Sequence, residues 1–133
     1  MNTVTLPQAQ RLAALGYPQA QWPQMTWSNP GYGSTIEDCD YWTLEHTTAL
    51  GSQLIVIVEP DIHIYAAPHP VDALVWCVER LVEREGHALS LEYKGAGAWQ
   101  VWNTDCYDLL EGTHQCDATN LLTAVLNHLE AAQ

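Results

Sequence analysis

Phenylalanine is absent from these 133 residues, and lysine and arginine together number only four against sixteen aspartates and glutamates. The shortage of cations leaves a formal net charge of −12. A chain so charged is repelled by phosphate backbones and anionic lipid surfaces within a Debye length, which argues against direct binding of nucleic acid or membrane. Long apolar runs are missing too: the longest, Leu54 to Val58, has the length of a strand, so no transmembrane helix is expected. Met1 to Gln10 carry neither a basic start nor an apolar segment, so no signal peptide is expected and the cytoplasm is the expected compartment. The four cysteines, Cys39, Cys77, Cys106 and Cys116, fall at irregular spacings in a chain large enough to be stable without disulfides, so free thiols are expected. No glycine-rich phosphate loop joins a strand to a helix and no G-x-S-x-G elbow is present, which leaves nucleotide chemistry and serine hydrolysis without a motif.

What is present reads as a globular α+β protein. Six Trp and six Tyr are spread along a chain that is 47% apolar, enough to bury a core in one domain spanning residues 1–133. Thr5 is placed to cap a first helix carrying Pro7, with Leu6, Ala9, Leu12 and Ala13 on one face and Gly16 at its end. Tyr17 to Gly33, broken by prolines and glycines around Trp22 and Trp27, predicts an ordered loop pinned by aromatics. Tyr41 to Thr48 and Gln53 to Val58 predict a hairpin, and Ile62, Ile64 alternating with His63, Tyr65 predict a strand ending by Pro68. Pro70 opens a helix whose apolar stripe is Val71, Leu74, Val75, Val78, Leu81 and Val82, with Gly86 as its stop. A second hairpin is expected over His87 to Tyr93 and Trp99 to Asn103, with Gly95, Ala96 and Gly97 turning between them. Asp117 caps a last helix with Ala118, Leu121, Leu122, Val125, Leu126 and Leu129 on its apolar face. Strand pairs adjacent in sequence favour a mostly antiparallel sheet of about five strands, with about three helices packed on it.

Four places carry residues with chemical potential. Asp105, Cys106, His114 and Cys116 lie close in sequence and offer the N, S and O donors of a zinc site, but Cys106, His114 and Cys116 match no standard ligand spacing, so no metal or other cofactor is expected. Glu37, Asp38 and Asp40, with Cys39 among them, form an acidic run whose side chains diverge along an extended chain, and they read as a solvated turn. Asp61 and His63, with His69 nearby, offer a carboxylate and an imidazole but no nucleophile. Trp76 stands opposite the apolar stripe of the Pro70 helix, among Asp72, Glu79, Arg80 and Glu83, where an indole with a charged rim resembles an interface anchor.

The phrase Arg11-Leu12-Ala13-Ala14-Leu15-Gly16-Tyr17-Pro18-Gln19, Ala67-Pro68 before the middle helix, the Trp99 hairpin and the closing Leu-rich helix together resemble a loose group of small bacteriophage and mobile-element proteins. The shared phrases shape turns, so the resemblance implies no catalytic residue and no particular activity; a phage-borne protein would act in a host cytoplasm. The function expected is therefore non-catalytic binding of a protein partner, with a basic one favoured, through an acidic surface that includes Trp76. Its sharpest form is an inhibitor occupying the groove of a nucleic-acid-binding protein. A small enzyme or metal-binding domain using His63 with Asp61 or the Cys106, His114 and Cys116 loop is the alternative, and a homodimer joined through Trp76 is a third.

Overall fold

The computed structural model describes residues 3–19, 24–28, 43–47, 64–86, 88–104, 108–110 and 116–131. It has the α+β class expected, with contacts gathered into two compact units, Thr3–Pro68 and His69–Gln133. The described strands form two antiparallel sheets, one in each unit, where the sequence suggested one. Antiparallel neighbours need only short connections, and the middle helix interrupts the succession of strands, so each block pairs within itself.

In the first unit, helix α1 (Leu6–Ala14) begins at a reciprocal cap. The Gln8 amide donates to Thr5 Oγ1 at 3.3 Å, and the Thr5 amide donates to Gln8 Oε1 at 3.1 Å, satisfying two donors that a helix start leaves open. Strand β1 (Gln24–Ser28) lies between β2 (Thr43–Thr47) and β3 (Ile64–Ala66), antiparallel to both. β1 corrects the loop expected over Tyr17 to Gly33: the run Met25-Thr26-Trp27 has strand formers enough to pair on both edges despite the prolines around it. Trp27 does act as a pin, its indole N–H donating to the Val4 carbonyl at 3.0 Å. β2 and β3 fall inside predicted strands; Gln53 to Val58, proposed as the partner of β2, lies outside the described residues. Val4, Ala9, Leu12, Thr26, Ala66 and Ala67 are buried.

In the second unit, helix α2 (Pro70–Glu85) ends where Gly86 turns left-handed at φ 70°. Strands β4 (Leu89–Gly95) and β5 (Ala98–Asn103) form the expected hairpin, whose turn holds Ala96 at φ 53° between two left-handed glycines. β4 takes one edge of β5; the short strands β6 (Asp108–Leu109) and β7 (Cys116–Asp117) share the other, pairing at Trp102–Asn103 and at Ala98–Trp99. Helix α3 (Ala118–Ala131) is capped as predicted, Asp117 Oδ1 accepting the Asn120 amide at 2.8 Å. α2 and α3 pack together, α2 touching β4 and α3 touching β5 and β7. Leu121, Leu122, Val125, Leu126 and Leu129 of α3 are fully or almost fully buried, which makes this helix pair the core of the unit. Arg84 crosses to α3 and donates to the Leu129 carbonyl at 3.3 Å, one of the terminal acceptors that the helix cannot satisfy itself. No helix among the described residues is long and apolar enough to cross a membrane.

Candidate functional site

The start of α2 is fixed by Pro70 at its first position and by His69, whose Nδ1 accepts the Val71 amide at 3.1 Å. His69, considered in the sequence as a companion of Asp61 and His63, is thus a helix cap; Asp61 and His63 lie outside the described residues. The buried side of α2 is Pro70, Ala73, Leu74, Cys77, Val78 and Leu81. At 100° per residue this face is turned by about 70° from the stripe of valines and leucines predicted from the sequence. The small residues Ala73 and Cys77 face inward instead, and Val75 is left 44% exposed. Small side chains let neighbouring elements approach closely, which a count of large apolar residues overlooks.

This rotation sets the character of the outward face. Asp72, Glu79 and Glu83 form its crest, all three exposed, with Val75 and half-buried Val82 along one flank and Trp76 and Arg80 along the other. Trp76, expected opposite the buried side, is instead half-buried on the shoulder of the helix, and the Arg80 guanidinium lies 5.4 Å from its ring centroid. Arg80 is also paired with Glu83 at 3.1 Å and with Glu79 at 3.8 Å. Cation over indole and carboxylates beside the cation make one connected group, so the five residues singled out in the sequence are gathered on one face, with Trp76 clasped by Arg80 rather than projecting as an anchor. The Arg80 Nε is buried without a hydrogen-bond partner, the only such side-chain atom among the described residues.

Beside the clasp, Val78, Val82 and Leu89 floor a shallow, open dent of about 340 Å³ whose rim is Glu79, Arg80 and Glu83. Neither Val75 nor this dent was distinguished in the sequence, where the valines were assigned to the core stripe. The inward-facing pair Ala73 and Cys77, four residues apart, is the signal that would have shown the rotation.

Of the other candidates, Asp105, Cys106 and His114 lie outside the described residues, as do Glu37, Asp38, Cys39 and Asp40. Cys116 is half-buried in β7, opposite Trp99. Among the described residues no three His, Cys, Asp or Glu side chains are grouped as a metal site would require. Compared with protein-family models, curated proteins and solved structures, the chain matches none of them.

Proposed function

We propose that this protein binds a basic protein partner through the outward face of α2, without catalysing a reaction. The observation that carries the reading is the rotation of α2, which leaves Val75 44% exposed beside the acidic crest of Asp72, Glu79 and Glu83. An aliphatic surface bordered by one sign of charge supplies both the apolar contact that holds a complex and the field that selects a partner. The balance of the chain strengthens that field. Arg80 is engaged by its neighbours on α2, Arg84 by α3 and Lys94 by Glu92 at 3.6 Å, so three of the four Lys and Arg residues have partners within the protein while carboxylates remain in excess. The resemblance to phage-borne proteins suggests a host partner, and a nucleic-acid-binding groove is the basic surface most suited to this charge.

The test is capture of partners from a host lysate by wild-type protein and by two charge-reversed variants, each first shown to fold by circular dichroism. Asp72→Lys with Glu79→Lys alters the proposed face while leaving Glu83 to hold Arg80; Asp108→Lys with Glu130→Lys makes the same change of net charge elsewhere. Capture of one basic protein by the wild type and the second variant, lost in the first, supports the reading. Equal capture by both variants, or by none of the proteins, contradicts it.

A further inference from the structure

We infer that Arg80 is a built-in competitor: it occupies, from within the chain, the place of a lysine or arginine from the partner, and the dent beside it receives the aliphatic side chain next to that cation. The inference rests on the reading of α2 as a binding face and specifies what that face recognises.

Three observations meet at this spot. The floor of the dent, Val78, Val82 and Leu89, is wholly aliphatic, so an apolar side chain entering it gains burial. Its rim bears two carboxylates, Glu79 and Glu83, whose side chains are 60% and 63% exposed and therefore accessible to a second cation. Arg80 sits between them as the sole cation of the rim, and its own contacts are modest. The Glu79 contact is long at 3.8 Å, Nε is unsatisfied, and exposed ion pairs of this kind hold weakly. A segment with a cation beside an aliphatic residue matches the dent in both respects: the aliphatic group covers the valines while the cation takes the carboxylates from Arg80. An anionic or purely polar segment matches neither. Displacement would also lift the guanidinium from the Trp76 ring, so binding is coupled to the environment of one indole.

The sign of one substitution separates this from an ordinary contact role. If Arg80 competes, removing its charge strengthens binding; if it contributes to binding or only supports the fold, removing it does not. The probes are three short labelled peptides of equal length with central Lys-Leu-Lys, Lys-Ser-Lys or Glu-Leu-Glu, titrated with the full chain by fluorescence anisotropy. The proteins are wild type, Arg80→Gln, Glu83→Gln and Val82→Arg, each checked by circular dichroism. The Lys-Leu-Lys peptide should bind best to every protein except Val82→Arg, and Arg80→Gln should bind it about fivefold more tightly than wild type, the size expected when an exposed ion pair no longer has to be broken. Glu83→Gln should weaken it, and Val82→Arg, which fills the dent, should abolish the preference for leucine over serine. Arg80→Gln binding no tighter than wild type overturns the inference. Equal binding of the leucine and serine lysine peptides overturns it too, but leaves the broader acidic-face reading standing. Failure of every lysine peptide to bind at low salt removes both.

Discussion

Trp27 shows how a single side chain can do a job that its surroundings in the sequence disguise. Among prolines and glycines it reads as a loop residue, yet it sits in the central strand of the first sheet and donates its indole N–H to the Val4 carbonyl at 3.0 Å, tying that strand to the segment before α1. Trp27→Phe keeps most of the apolar contact and removes that donor. It should cost about 1 kcal/mol in urea unfolding, the net worth of one partly buried hydrogen bond; no change would mean that the Val4 carbonyl finds another partner at no cost. Trp76 was legible as unusual but not in its posture: the polar neighbours pointed to an exposed indole, whereas a 70° turn of the helix, roughly, half-buries it beneath Arg80. Residue identity at four-residue spacing reveals which side chains share a face. It does not reveal which face is inside when one side offers large residues and another offers small ones that pack closely.

At the scale of elements, the helices were the legible part because their ends are marked chemically. Thr5, Asp117 and Gly86 each stand in the sequence where a helix start or stop requires them, and each performs that role in the structure. Gly86 at φ 70° has open space around its missing Cβ, so the cost of Gly86→Ala is backbone conformation alone, about 1 kcal/mol of lost stability by thermal unfolding. The β4–β5 turn presents the opposite case. Ala96 is held at φ 53° and is exposed, so Ala96→Gly should relieve the strain and raise stability by roughly 0.5–1 kcal/mol, measured the same way. A fall in stability would show that the Ala96 methyl contributes more than its conformation costs. Strands were less legible because pairing is non-local. β1 is recognisable only once both its neighbours are known, and the two-residue strands β6 and β7 carry no pattern to read, being fixed by the edge of β5 that they share.

Across the whole molecule, charge was fully legible and its meaning was not. The sequence gives −12, and the structure adds where some of the acids stand: along the crest of α2, between an exposed valine and a clasped tryptophan. Division into two units also bears on how stability is measured, since each has its own sheet and helix contacts, and units that open separately would show separate transitions. The two Trp27 and Gly86 substitutions test this directly, because one lies in each unit: independent units would give two transitions, with Trp27→Phe moving one and Gly86→Ala the other. The central claim, that α2 presents an acidic face to a basic partner, is tested most directly by titrating the captured partner against wild-type protein and against Asp72→Lys with Glu79→Lys at rising salt. A basic partner held by this face binds the wild type with an affinity that falls steeply with ionic strength, and binds the variant much more weakly at low salt. An affinity that is flat with salt and equal in the two proteins would contradict it.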